Sequence, residues 1–210
     1  MKQPTTTPQR FAVFISGNGS NLQAIIDAWK KGIITAEPAL VVSSRPNAFG
    51  LQRAEKAGIP TAVFDPKVYT NTQSVDRDMV IRLKKDNIDF IIMAGYMRIL
   101  TKFFIKEYPQ KILNIHPSLL PSFKGMQGIK DTITYGSKIS GVTVHFVNEK
   151  MDHGPIILQD AVKIQERDTL QTLTQKIHKL EHRVYPKAVQ LFVEGRLRIK
   201  GRKVEILEKN

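Results

Sequence analysis

The sequence predicts an α/β protein: an open, mostly parallel, doubly wound sheet of Rossmann-like type, flanked by helices and finished by a C-terminal β-hairpin. Three observations carry that expectation. Nearly unbroken apolar runs of strand length recur along the chain, stretches of helical period separate them, and glycine, asparagine and proline punctuate the joins. Apolar strands joined by helices belong to a parallel sheet covered on both faces, whereas a sheet with one wet face reads as an alternation.

The elements follow in order. Phe11–Ile15 is a nearly pure apolar run and the first strand. A Gly/Asn/Ser turn leads into a helix on which Leu22, Ile25, Ile26 and Trp29 fall at helical spacing. Ala39–Val42 is the second strand. Leu51–Ala57 is a helix closed by Gly58, at the position after a helix where a left-handed backbone favours glycine. Thr61–Phe64 is the third strand, Val75–Lys85 a helix, and Ile88–Met93 a fourth strand ending at Gly95. Lys111–Ile115 is the fifth strand, Val142–Val147 the sixth, and Ile156–Ile164 contains a seventh. A long helix spans Thr169–Val193, with Leu170, Leu173, Ile177 and Leu180 on one stripe, and Arg196–Leu207 forms a hairpin turning at Lys200-Gly201.

A chain of 210 residues can build one sizeable core. No linker divides it and no repeat recurs, so a flexible leader over residues 1–9 and a single domain over 10–210 are expected. The leader is polar and lacks the apolar stretch of a secretion signal. No apolar run approaches the roughly 20 residues of a membrane span. The absence of cysteine excludes a disulfide scaffold, a thiolate nucleophile and cysteine-ligated zinc, and suits a reducing cytoplasm. The net charge of +13 fits a solvated surface or the steering of small anionic substrates. Basic residues cluster only at Arg196, Arg198, Lys200, Arg202 and Lys203, with no aromatic RNA-binding motif, so nucleic acid is not an expected partner. A monomer and a homodimer are both compatible with the sequence.

In open α/β sheets ligands bind beyond the carboxyl ends of the strands. Two such ends carry chemistry here. The first strand ends in Ser16-Gly17-Asn18-Gly19-Ser20-Asn21 and a helix follows. Two glycines let the backbone approach a ligand, and the free N–H groups of a helix start suit a phosphate. Ser20 and Asn21 add side-chain donors and can cap the helix. The turn departs from the dinucleotide fingerprint, because Leu22 stands in place of the third glycine and Ser43-Ser44-Arg45 in place of an acid. An arginine there can hold a 2′-phosphate, so an NADP enzyme stays open on this turn alone.

The second is Asn114-Ile115-His116-Pro117. Residues i and i+2 of a strand share a face, and Pro117 keeps His116 extended. An amide and an imidazole held together suit acyl transfer: Asn114 donates to a developing oxyanion and His116 exchanges a proton. With no cysteine and no serine-elbow motif, the nucleophile is then the substrate itself, such as an amine. Asp152, in the turn Met151–Pro155, is the candidate partner that favours a protonated His116; an acid capping its own turn is the competing reading.

These residues lie within a broader resemblance. Ile15–Ile25 (ISGNGSNLQAI), Ala94–Leu100 (AGYMRIL), Leu113–Pro121 (LNIHPSLLP), Gly141–Phe146 (GVTVHF), Met151–Pro155 (MDHGP) and Glu181–Pro186 (EHRVYP) stand in order over nearly the whole chain. Together they resemble the folate-dependent formyltransferases of purine synthesis. The resemblance implies transfer of a formyl group from 10-formyltetrahydrofolate, as co-substrate, to the amine of glycinamide ribonucleotide, with no metal. It implies that Gly19, Ser20 and Asn21 hold the substrate phosphate and that Glu181 contacts the ribonucleotide. It makes Asn114, His116 and Asp152 the catalytic trio, and it places Met97, Arg98, Ile99, Leu100 and Asn114 at the folate. Where the family has a folate-contacting arginine, this chain has Thr72; Lys67 and Arg77 are the nearby cations that can substitute.

Other readings remain. Methionyl-tRNA formyltransferase and formyltetrahydrofolate hydrolase share this chemistry, but the former normally adds a C-terminal and the latter an N-terminal domain. The pattern His178-x-x-Glu181-His182 spells an inverted zinc-hydrolase motif, short enough to arise by chance and without a third ligand. A non-catalytic binding module would leave Asn114 and His116 as strand-end structure.

Overall fold

The computed structural model describes residues 8–209, so residues 1–7 of the expected leader lie outside the described residues. The elements are β1 (Arg10–Ile15), α1 (Ser20–Lys30), β2 (Glu37–Ser43), α2 (Phe49–Lys56), β3 (Thr61–Val63), α3 (Thr72–Lys85), β4 (Phe90–Met93), α4 (Lys102–Glu107), β5 (Ile112–His116), α5 (Gly128–Tyr135), β6 (Ile139–Phe146), β7 (Ile156–Lys163), α6 (Leu170–Val193), β8 (Leu197–Lys200) and β9 (Lys203–Ile206). The strands form one sheet in the order β3-β2-β1-β4-β5-β6-β7-β9-β8.

The expected α/β architecture is present. The chain winds outward through β1, β2 and β3, then returns to lay β4 and β5 on the other side of β1, all parallel. The winding therefore reverses between β1 and β4, where ligands collect. Beyond β5 the direction changes: β6 runs antiparallel to β5 and β7 antiparallel to β6. The terminal hairpin joins the sheet through a single parallel pair, Ile156 with Lys203. Its turn is Gly201-Arg202, one residue later than the sequence suggested.

Two helices escaped the sequence reading. The six-residue α4 and the eight-residue α5, which packs Ile129 and Ile133 against the core, are too short for a helical period to stand out in the sequence. Helix α3 starts at Thr72 rather than Val75, because Asn71 caps it by accepting from the Ser74 amide at 2.9 Å.

Each sheet face packs its own core. On one face Val13, Ile15, Ile92, Leu113 and Val144 meet α1 and α6; on the other Phe14, Ile91 and Met93 meet Met79, Leu83 and Phe104. Fully buried side chains of this size stabilise the fold by roughly 1.5–3 kcal/mol each. Tyr185 of α6 is wholly buried, and its hydroxyl lies 2.8 Å from the Met93 carbonyl and 3.1 Å from that of Leu113. It fixes α6 beneath the β4–β5 seam. Among the described residues no helix is long and apolar enough to cross a membrane.

Candidate active site

The antiparallel register of β5 and β6 assembles the site. Asn114 and His116 alternate onto one face, and the residues opposite them on β6 are His145 and Thr143. Directly paired residues share a face, so His145 joins the two predicted residues. The Asn114 amide nitrogen lies 3.2 Å from His145 Nε2. His145 Nδ1 donates to the Phe146 carbonyl at 2.7 Å, which leaves Nε2 to accept from the amide. Burial lowers the His145 pKa, in keeping with a neutral ring in that role. His145 thus holds one amide hydrogen of Asn114 and leaves the other for a ligand. Sequence reasoning assigned it no role; its partner is fixed only by strand register.

Asp152 reaches the same face from the β6–β7 loop. Its Oδ2 lies 3.5 Å from His116 Nδ1 and accepts from the Gly125 amide at 2.7 Å, and its Oδ1 lies 3.9 Å from His145 Nε2. The structure therefore brings Asn114, His116 and Asp152 together. Asp152 has φ +48°, a left-handed backbone that non-glycine residues adopt only when their surroundings hold it. The loop is packed tightly: a Cβ on Gly154 would stand 1.7 Å from the Phe146 carbonyl oxygen.

His116 is buried, and its Nε2 donates to the Phe123 carbonyl at 2.8 Å. Both ring nitrogens thus face acceptors, a carbonyl and a carboxylate. The following loop is held by Thr143, whose hydroxyl donates to Ser118 O at 2.7 Å and accepts from the Leu120 amide at 3.0 Å. Ser118, the nearest hydroxyl in sequence, donates to Ser122 O at 2.6 Å, not to His116.

The cradle forms at the β1–α1 turn. Gly19 takes φ +74° as N-cap of α1, with no side chain capping the helix. Ser20 and Asn21 are the first helical residues, so they do not cap as the sequence suggested, and no acid stands in the first turn. The first intrahelical bond runs from Gln23 N to Gly19 O, which leaves the amides of Ser20, Asn21 and Leu22 pointing out as anion donors. Gly50 of α2 packs against the turn: a Cβ on Gly19 would lie 2.8 Å from its Cα. Arg53 braces the turn from outside, donating to the Asn18 carbonyl at 2.9 Å.

The Asn21 side chain is turned inward. It donates to Glu181 Oε2 at 3.0 Å, and its own Oδ1 is buried without a partner. Glu181 is 5% exposed, and burial lifts its pKa to about 7. The cradle and α6 are thus joined by one buried polar contact.

Residues 9–189 match the formyl transferase family model. The chain belongs to the formyl transferase family. It is 44% identical over 182 residues to phosphoribosylglycinamide formyltransferase of Bacillus subtilis, covering 87% of this chain and 93% of that protein. It is 43% identical over 190 residues to the human trifunctional purine biosynthetic protein adenosine-3, covering 90% of this chain but 19% of that longer protein. The crystal structure of glycinamide ribonucleotide transformylase 1 from Symbiobacterium toebii superposes with a TM-score of 0.94 at 45% identity, covering 96% of this chain and 95% of the other.

In this formyltransferase the segment after β4 forms one lip of the site. Met97 and Ile99 are exposed, whereas Leu100 is buried and Arg98 half-buried. The Arg98 guanidinium is engaged within the protein: it is ion-paired with the fully buried Asp76 and lies 3.4 Å from the Thr72 carbonyl. Asp76 also accepts from the Thr101 amide at 2.7 Å. This clamp sets the lip against α3, so Arg98 shapes the loop through Asp76. Thr72 is the exposed first residue of α3, beside Arg98. Ser16, buried at the end of β1, accepts from the Met97 amide at 2.8 Å and lies 2.6 Å from the Ser44 hydroxyl, linking the lip to the β1 end.

A groove of about 780 Å³ lies between α1 and α6 and meets the cradle only at Ser20 and Arg53. It is on the far side of the sheet from the trio, and size alone is no argument against the side-chain geometry. The zinc-like pattern does not converge: His178 and His182 stack at 6.3 Å while Glu181 points inward to Asn21. Among the described residues no group of three histidines, cysteines or acids could hold a metal ion.

Proposed function

We propose that this formyltransferase moves the formyl group of 10-formyltetrahydrofolate to the primary amine of 5′-phosphoribosylglycinamide, a step of purine synthesis, using Asn114, His116 and Asp152 as its catalytic residues. The observation that carries this reading is the arrangement of those three side chains on one sheet face, with His116 hydrogen-bonded to a carbonyl and facing a carboxylate at 3.5 Å rather than bonded to a hydroxyl. A histidine so placed is not activating a protein nucleophile. The attacking group is the substrate amine.

The amine adds to the formyl carbon, forming the new C–N bond and a tetrahedral oxyanion. The free N–H of Asn114 and the Nε2–H of His116 stabilise that oxygen. The Phe123 carbonyl accepts the Nε2–H at 2.8 Å, and the formyl oxygen takes its place when substrate is bound. Asp152 orients the His116 ring and balances an imidazolium. The amine proton passes to N10 of the folate as the old C–N bond breaks, with His116 and Asp152 assisting the transfer.

Gly19, Ser20 and Asn21 hold the 5′-phosphate on the open α1 terminus, and Glu181 accepts hydrogen bonds from the ribonucleotide. Strands β1 and β5 flank β4, so the cradle and the trio stand about 10 Å apart laterally, a span that a ribose and a glycyl arm bridge. Met97, Ile99 and Leu100 face the folate, Asn114 meets its formyl group, and Thr72 borders this lip, with Lys67 or Arg77 as the cation that replaces the missing arginine. Residues 10–210 work as one domain on one sheet, with small-molecule partners only. The cysteine-free sequence suits the reducing cytoplasm, where we place it.

The test is formyl transfer with phosphoribosylglycinamide and charged initiator tRNA as competing acceptors. Tetrahydrofolate release that depends on phosphoribosylglycinamide supports the assignment. Release without any acceptor marks a hydrolase, and consumption of the tRNA marks the other rival.

A further inference from the structure

The loop that carries Asp152 is held on its inner side by the Gly125 amide. Its outer side is held by the C-terminal hairpin. Gly201, with φ +60°, turns the chain there, and the Ile156–Lys203 pair seats the turn beside the start of β7. Arg202, next to that pair, places its Nη1 3.0 Å from the His153 carbonyl oxygen and 3.1 Å and 3.3 Å from the His153 ring nitrogens. The Asn148 side-chain nitrogen approaches His153 Nδ1 at 3.2 Å from the other side of the loop. Both neighbours are donors, so His153 serves as an acceptor. Its pKa is lowered by burial and by the cations Arg202, Lys124 and Lys150, which keeps it available for that role.

We propose that Arg202 is a positioning residue for the formyl-transfer reaction: by clamping the His153 carbonyl it holds Asp152 in its left-handed backbone conformation and within reach of His116. The clamp comes from outside the segment that matches the family, which ends at residue 189. A left-handed aspartate returns to the extended or helical regions when its neighbours release it. The His153 carbonyl that Arg202 holds lies one peptide beyond the left-handed Asp152, so the contact restrains the chain on the C-terminal side of the strained residue. Arg202 does not touch substrate; it acts through the geometry of Asp152. The proposal rests on Asp152 being catalytic.

The experiment compares Arg202→Ala, Arg202→Lys, Asp152→Asn and the Asp152→Asn/Arg202→Ala double variant with the full-length wild type. For each, kcat and KM are measured for both substrates alongside the melting temperature. A loosened Asp152 misplaces a reacting group by a fraction of an ångström, and an ångström costs up to about a hundredfold. Arg202→Ala is therefore expected to lower kcat roughly five- to tenfold with both KM values nearly unchanged. Arg202→Lys, which keeps one donor for the carbonyl, recovers part of the loss, and Arg202→Ala has no further effect once Asp152 is Asn. Wild-type kcat in Arg202→Ala overturns the proposal, whether or not the melting temperature falls. An undiminished loss in the double variant also overturns it, because Arg202 then acts elsewhere. Normal turnover in Asp152→Asn overturns the catalytic trio and this inference with it, whereas a dead Asp152→Asn beside a normal Arg202→Ala overturns the clamp alone.

Discussion

Glu181→Gln separates folding energetics from substrate binding at the contact between the cradle and α6. Glu181 is buried, one oxygen accepts from Asn21, and Asn21 Oδ1 has no donor. Burial lifts its pKa from 4.5 to about 7. In the unfolded chain the carboxyl loses its proton near 4.5, while in the folded protein it keeps it until about 7. Between those values the folded state binds more protons, so stability falls as pH rises. The contribution is fully present below pH 4.5 and lost once pH has passed 7. At about 1.36 kcal/mol per pH unit the span corresponds to about 3 kcal/mol, to order of magnitude. Glutamine removes the titration and can donate to Asn21 Oδ1 while still accepting from its amide nitrogen. Wild type and Glu181→Gln should match in unfolding free energy near pH 5. By pH 8 the variant should be more stable by about 3 kcal/mol, or roughly 6–12 °C in Tm for a chain of this size. Urea unfolding from pH 5 to 8 measures the difference. A gap that stays constant across that range refutes the reasoning, since the titration then lies elsewhere. The same variant should raise KM for phosphoribosylglycinamide, because a neutral amide is a weaker acceptor than a carboxylate.

Further changes probe the other parts. His116→Ala and Asp152→Asn each should lower kcat by about 10²–10³, the scale of one lost oxyanion donor, with modest change in either KM; steady-state kinetics decides, and near-normal turnover in both would sink the trio. His145→Ala frees the Asn114 amide to rotate and should reduce kcat about tenfold, less than loss of a direct donor; a loss confined to KM would contradict that role. Gly50→Ala places a Cβ 2.5 Å from Ile15 Cδ1 and 3.3 Å from Gly19 Cα, so the cradle must shift. It should raise KM for phosphoribosylglycinamide about tenfold, equivalent to about 1.4 kcal/mol of binding, while KM for the folate holds. Tyr185→Phe removes the hydroxyl beneath the β4–β5 seam and should cost about 1–2 kcal/mol in denaturant unfolding with kinetics unchanged.

Much of this molecule was legible because its signals are local. Buried parallel strands announce themselves as apolar runs, and the cradle needs only a strand, two glycines and a helix start within a dozen residues. Asn114 and His116 were legible for the same reason, since i and i+2 share a face whatever else happens. The antiparallel return of β6 was not, because an apolar strand reads alike in either direction. His145 was lost with it: its meeting with Asn114 depends on register across 31 residues. Asn21 read as a ligand donor from its place in the turn, yet its side chain serves Glu181, 160 residues away. Arg98, which the resemblance places at the folate, is also ion-paired with the buried Asp76 of α3, a contact that no local pattern in the sequence signals.

The change of strand direction at β5 also explains why the site lies where it does. A purely parallel sheet needs a crossover of a dozen or more residues to place the next strand, and such a crossover covers the sheet face with a helix. After β5 the chain passes through α5 and returns antiparallel as β6, and the loop that then joins β6 to β7 folds onto the face that bears Asn114 and His116. A carboxylate can then reach an imidazole on a neighbouring strand from the side that α6 leaves open. The parallel half, at the end of β1, leaves a helix terminus uncapped for a phosphate. Each half of the sheet thus supplies what its own connection type allows: a parallel crossover offers backbone donors for an anion, and an antiparallel return offers side chains at close quarters for proton transfer. The reacting amine is delivered between them, over β4, where the two kinds of connection meet.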